Sequence, residues 1–255
     1  MLRGTLLLSP QFSSPGGSLV RRLCDDTDAR RLLNPGPVAI VTTSWRGTPN
    51  AAPIAWTAPL AMEPPLVGIV VHPHRHTADM IRFSEEFAIN IPGPSLLKQV
   101  AFLGTQTGLN NNKLEAAGLE LFSGQRIDAP LIEGCLAWIE CGLQDVIAIG
   151  DHTLFVGKVT RVQALDEAYA QKWLLTERQY SPLTYIGGTS YAVVGDPLEA
   201  VIEVDAQGGL VGETAEERER REEEEAQERD KRTAEGDEGF EEMQRSETAE
   251  HKTQF

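Results

Sequence analysis

Several short stretches of this 255-residue sequence hold side chains able to do chemistry. The His76-Thr77 pair stands before Ala78 to Ser84, whose partly apolar face (Met80, Ile81, Phe83) predicts a helix with Thr77 as its N-cap. Free N–H groups and the dipole at such a terminus favour an anion. A phosphate there would take the Thr77 hydroxyl and the first helical amides. Thr107 and Lys113, from a second segment, are further candidate ligands. A threonine so placed also serves simply as a cap, so both readings of Thr77 stand. His72, His74 and His76 form an H-x-H-x-H run. On a strand they would share a face, but adjacent same-face residues make a poor closed tetrahedral site. Pro73 disturbs the strand and the run carries no thiol or carboxylate of its own, so no metal is expected. His76 fits better as a polar neighbour of the phosphate. His152 follows Gly150-Asp151, a pair suited to a hairpin connection. It is either a hairpin histidine bonded to a neighbouring strand or a functional group. Cys135 and Cys141 lie in one expected strand. At ~3.3 Å per residue they are roughly 20 Å apart, too far to bridge. Their parity, shared with Ala137 and Ile139, predicts one buried face rather than a redox pair.

The elements that must position these groups are mostly strands. Runs rich in Val and Ile, bounded by turn residues, predict strands at Val38 to Thr43, Ala51 to Thr57, Leu66 to Val71 and Phe87 to Ile91. Arg46 to Asn50 is expected as the turn between the first two. Longer strands are expected at Cys135 to Ile147 and His152 to Val162. Helical pieces fall between them: one or two turns over Asp28 to Leu33, Ser95 to Leu103 opened by Pro94, and a short piece from Asn112 to Gly118. Many short antiparallel strands with a few inserted helices argue for a mainly β barrel rather than a βαβ sheet. No 20–50-residue repeat is present, so a solenoid or propeller is excluded.

The formal charge is −15. Glu203 to Phe255 holds 8 basic and 19 acidic residues and so carries −11 of it. The rest of the chain is ordinary for a soluble domain. The sign argues against nucleic acid or an anionic membrane as a partner. No apolar run approaches the ~20 residues that span a bilayer. Three cysteines make no disulfide framework, which fits a reducing, cytoplasmic setting. Residues 1–24 contain Arg3, Arg21 and Arg22 and no acidic residue, a composition shared by disordered extensions and mitochondrial transit peptides. Thr214 to Arg232 has Glu–Arg pairs at i,i+4 but no apolar stripe, which predicts a lone solvated helix or disorder. The expected organisation is an extension over 1–24, one domain over 25–200 and an acidic tail over 201–255. There is no G-x-G-x-x-G opening a helix after a strand, no P-loop, no G-x-S-x-G and no H-E-x-x-H. Rossmann-type and hydrolase readings therefore have no footing.

One resemblance orders these pieces. Pro37-Val38-Ala39-Ile40-Val41-Thr42-Thr43, Asn50-Ala51-Ala52-Pro53-Ile54-Ala55-Trp56-Thr57, Pro64-Pro65-Leu66-Val67, His76-Thr77-Ala78-Asp79-Met80-Ile81 and Glu86-Phe87-Ala88-Ile89-Asn90-Ile91-Pro92 follow one another at characteristic spacing. Gly150-Asp151-His152-Thr153-Leu154-Phe155-Val156-Gly157-Lys158-Val159 comes next, and then Tyr185-Ile186-Gly187-Gly188 with Tyr191. From about Asp25 to Gly195 the chain resembles the flavin reductase-like domain family, including its flavoredoxin branch. The resemblance implies an antiparallel FMN-binding split β-barrel, with FMN (or FAD) as cofactor and NADH or NADPH as electron donor. It implies a homodimer that serves a partner oxygenase or another electron acceptor. The cofactor-binding residues it implies are Asn50, Ala55, Trp56, Thr57, His76, Thr77, Asn90, Thr107 and Lys113, with His152 as the catalytic residue on the nicotinamide side. Trp56 taken alone reads as core somewhat more readily than as cofactor wall. The family's frequent Ser-Gly-Arg is here Thr107-Gly108-Leu109, so one arginine phosphate ligand is missing. The reaction expected is hydride transfer from nicotinamide to flavin N5. A flavoredoxin-like carrier without nicotinamide activity and a cofactor-free binding module on the same barrel are the alternatives.

Overall fold

A computed structural model describes residues 22–108, 112–195, 197, 220, 223, 224 and 226. The chain divides into two units, Met1–Pro197 and Leu198–Phe255. The expected extension over 1–24 lies almost wholly outside the described residues. Of the tail, four helical residues are described, with Arg220 Nε 3.8 Å from Glu224 Oε1.

The first unit is built on one antiparallel sheet of seven strands: β1 (Ala39–Trp45), β2 (Thr48–Ile54), β3 (Thr57–Ala61), β4 (Leu66–Val71), β5 (Glu86–Pro92), β6 (Cys135–Ile149) and β7 (His152–Ala164). Their order is β2-β1-β5-β6-β7-β4-β3. The two edge strands, β2 and β3, are consecutive in the chain with only Ala55 and Trp56 between them. A two-residue link cannot span a flat seven-stranded sheet, so the sheet curls until its edges meet. No ladder joins β2 to β3; Val70 N–H donates to the Trp56 carbonyl at 2.9 Å and ties the link to β4. The barrel is therefore split along this seam. Pro49 and Pro53 suit β2 because an edge strand has one side on which no N–H is needed.

Here the sequence expectation needs correcting. Ala51 to Thr57 is not one strand but the end of β2, the link and the start of β3, because Ala55 and Trp56 turn the chain across the seam. The turn before it is only Arg46-Gly47, both with positive φ (53° and 76°), and Thr48 already pairs with Trp45.

Both faces of the sheet are covered, which is why β1 reads as a continuous apolar run. Ala39, Val41, Ile69, Phe87, Ile89, Cys141 and Phe155 form the interior with Ala78 and Ile81 of α2 (His76–Ser84). Gly157 lies where a Cβ would collide with Phe87 and come 2.9 Å from Cys141 Cβ, so only glycine admits that close packing. On the other face Ile40, Ala88 and Trp138 pack with Val100 and Leu103 of α3 (Leu97–Thr105) and Leu114 of α4 (Lys113–Ala116). Cys135 belongs to this outer cluster and Cys141 to the interior. Their shared parity misleads because the β5–β6 register shifts between Ile91 and Pro92, and one extra residue reverses the alternation. Burial pushes both thiols up to about 12, which leaves them inert.

Two carboxylates, Glu140 buried and Glu86 half-buried, hold a loop against the outer face. Glu140 Oε2 accepts from the Gln125 and Arg126 amides at 2.9 and 2.7 Å. Glu86 Oε1 accepts from those of Asp128 and Ala129 at 2.7 and 2.8 Å. Burial nevertheless holds the Glu86 carboxyl above its ordinary range. The loop carries Ile127, which packs on the same cluster as Leu114. The carboxylates thus help seat α4.

Candidate functional site

Where β2, the start of α2 and the α3–α4 connection converge, a cleft of about 180 Å³ opens. Ala52, Pro53 and Ile54 form one wall; Arg75, His76 and Thr77 form another; Thr107, Gly108 and Lys113 close it. The helix begins one residue before the expected cap. Arg75 is the N-cap in extended conformation, without a capping side-chain bond, and His76 and Thr77 are the first helical residues. Their amides have no intrahelical acceptor. Thr77 is not a cap: its hydroxyl accepts from Asn50 Nδ2 at 3.0 Å. Asn50 is buried, and its Oδ1 has no partner among the described residues. A side chain at Gly108 would collide with that oxygen and stand 3.1 Å from His76 Cδ2, so the Gly108 backbone closes on the helix start.

Lys113 is 95% removed from solvent, yet its ammonium forms no ion pair or hydrogen bond among the described residues. Desolvation first, and the Arg75 charge second, bring its ammonium down to about 8. Two cations and a helix start that share a cleft without a carboxylate form a site whose electrostatics are completed by an anion.

Beyond Ile54 the wall continues through Ala55 to Trp56, at the seam. The Trp56 ring lies 4.9 Å from that of His152, which stands 5.2 Å from His72, itself 5.2 Å from His74. His152 Nδ1 bonds Asp151 Oδ1 at 2.8 Å, and this bond holds the exposed Asp151 carboxyl below its usual range. With Nδ1 so engaged, Nε2 is the free ring nitrogen among the described contacts. The hairpin expected at Gly150-Asp151 is present, Gly150 having φ +57°.

The flavin reductase like domain pattern matches residues 30–192, well over half of the chain. The chain belongs to the flavin reductase-like domain family. An uncharacterized protein of Aeropyrum pernix is 32% identical over 160 residues, which are 62% of this chain and 60% of that relative's own length. An FMN-binding domain of a flavin reductase-like enzyme from Shewanella baltica OS155 is 28% identical, with a TM-score of 0.60 over 70% of this chain and 96% of that one. Flavoredoxin of Desulfovibrio vulgaris shares the fold at 23% identity, TM-score 0.59, over 74% of this chain and 96% of its own.

Within this flavin reductase-like domain the residues singled out from sequence fall into two groups. His76, Thr77, Thr107 and Lys113 line one cleft, and Asn50 supports Thr77 from behind. Ala55, Trp56 and Thr57 line a second cleft across the seam. Asn90 does not join them. It is fully buried, with Nδ2 donating to the Ile40 carbonyl (2.8 Å) and Thr42 Oγ1 (3.0 Å) and Oδ1 accepting from Ile132 N–H (2.9 Å). With every polar group spent on the scaffold, it is a structural asparagine. Arg75 was missed. It stands on α2 rather than beside Gly108, so comparison with the family's Ser-Gly-Arg phrase hid a cation that only folding delivers to the cleft. The signal was its place just before His76-Thr77. Among the described residues no grouping of His, Cys, Asp or Glu suits a metal, and the histidine run is not a strand: His72 and His74 lie in the turn after β4 and His76 opens α2.

Proposed function

We propose that this chain binds FMN and reduces it with NADH or NADPH, as a flavin reductase. The observation that carries the reading is Lys113, a desolvated ammonium with no partner among the described residues, beside Arg75 and the α2 amides. That donor set fits the dianion of a phosphate monoester. Arg75, Lys113, Thr107, Thr77 and the His76 and Thr77 amides would hold the phosphate. The four residue steps from Ala52 to Trp56 reach at most ~13 Å, a reach that suits the rest of an FMN molecule laid along β2 and the link. A bound flavin would supply a hydride-accepting centre at N5 for a reduced nicotinamide. The chain's own contribution is positional. Trp56 would wall the ring, and His152, turned by Asp151, would orient the nicotinamide so that the hydride has a short path. Homodimer formation, and delivery of electrons to a partner oxygenase or other acceptor in the cytoplasm, extend the same proposal.

The test is the visible spectrum of the protein with added FMN, followed anaerobically with NADH and then NADPH. Binding shifts the flavin bands, and catalytic bleaching weakened by His152→Ala supports the reductase. Bound flavin that neither nucleotide bleaches would replace the reductase with an electron carrier. No binding at all would leave a barrel without the cofactor.

A further inference from the structure

Lys113, the first residue of α4, is buried where it lines the cationic cleft. Arg31 of α1 (Ala29–Leu32) meets Asp28 at 2.7 Å and Arg82 of α2 meets Asp79 at 3.4 Å, whereas no carboxylate among the described residues pairs with Lys113. The acid on its own helix, Glu115, accepts from Asn112 Nδ2 at 3.1 Å. The titratable groups that share the cleft with Lys113 are His74, Arg75 and His76, none of them acidic. Burial first, and the Arg75 charge second, hold the side chain at about 8, so part of it is free amine near neutral pH. A buried amine beside an anion cradle is a nucleophile that selects its electrophile. An acyl phosphate carries a phosphate dianion next to a reactive carbonyl. Seated on Arg75 and the α2 amides, the phosphate brings that carbonyl to Nζ. The same donors stabilise the phosphate as it leaves. A cleft of about 180 Å³ limits the acyl group to a short one.

We propose that Lys113 is a modification site, acylated by small acyl phosphates, and that its acylation switches off anion binding in the cleft. Nζ adds to the carbonyl carbon, and the bond from that carbon to the phosphate oxygen breaks. Phosphate departs with the electron pair and takes the proton that the nitrogen sheds, leaving an uncharged amide and hydrogen phosphate. The acylation rests on the cationic cleft alone; its effect on FMN rests on the flavin reading.

The probe is acetyl phosphate, incubated with flavin-free full-length protein, with acetylation at each lysine followed by peptide mass spectrometry. Exposed Lys98, Lys158 and Lys172 are internal controls. Lys113 reacts at least about ten-fold faster than they do, because the reagent is held beside it. Inorganic phosphate protects Lys113 alone. Arg75→Gln, at an exposed position, slows Lys113 by about ten-fold and leaves the controls unchanged. With rising pH the Lys113 rate levels off above about 8, while the control rates keep climbing. The neutral reagent p-nitrophenyl acetate shows neither the phosphate protection nor the Arg75 dependence. Lys113 labelling no faster than the controls, or indifferent to both phosphate and Arg75→Gln, overturns the proposal. Full FMN affinity after stoichiometric acetylation overturns the switch. FMN that never binds, with Lys113 still labelled and protected by phosphate, sinks the flavin reading alone. FMN that binds, with Lys113 unreactive, sinks this inference alone.

Discussion

Lys113 is a charge kept in a place that disfavours charge, and its pH behaviour follows from that. Its folded value, about 8, lies below the ordinary 10.5, so folding favours the neutral amine. Without ligand, the stability from this group is full above 10.5 and is lost as pH falls through about 8. An anion reverses the preference. FMN affinity should therefore fall as pH rises above about 8, by up to about ten-fold per unit until the bound-state value is reached. Titrations by flavin fluorescence between pH 6.5 and 9.5 measure the slope. Lys113→Met should weaken FMN by about 1.5–3 kcal/mol, flatten that slope and raise the melting temperature of ligand-free protein at pH 7. A variant with weakened binding but an unchanged slope would remove Lys113 from the anion site. At Gly108 the same logic is steric. Gly108→Ala pushes on Asn50 and His76, so FMN affinity should drop with little change in melting temperature.

At the scale of elements, the barrel depends on close approaches that single residues permit. Gly157→Ala forces a methyl between Phe87 and Cys141, and about 1–3 kcal/mol of stability should be lost to overpacking, read by urea denaturation. Glu140 ties down the loop that helps seat α4. Two hydrogen bonds to a charged, buried acceptor are worth about 1.5 kcal/mol each at the low end. Glu140→Ala should thus cost roughly 3 kcal/mol and speed amide exchange at Gln125 and Arg126 above all other sites. Uniformly raised exchange would mean that the carboxylate supports the sheet generally rather than this loop.

For the whole molecule, the candidate cofactor-site residues run from Asn50 to His152 and the family match ends at 192. A chain ending at residue 200 should keep FMN affinity and NAD(P)H oxidation within about two-fold of the full chain, while its net charge shrinks because −11 of the −15 lies beyond it. A large loss of affinity would instead give the tail a part in the site. No described helix is long and apolar enough to cross a membrane.

Strand identity, antiparallel class and the helix that starts at the cationic cleft were legible in the sequence, because periodicity, turn residues and capping chemistry act over a few neighbouring positions. His76, Thr77, Thr107 and Lys113 were recognisable for that reason together with the order of the family's phrases. Tertiary structure decided what depends on partners distant in sequence. Asn90 has the composition of a ligand but the neighbours of a scaffold residue. Cys135 and Cys141 were separated by a register shift that no local pattern records. The break of Ala51 to Thr57 at the seam, and the arrival of Arg75 opposite Lys113, follow from a sheet whose first and last strands are consecutive in the chain. Curling that sheet shut is a property of all seven strands together, and the cleft exists only once it has closed.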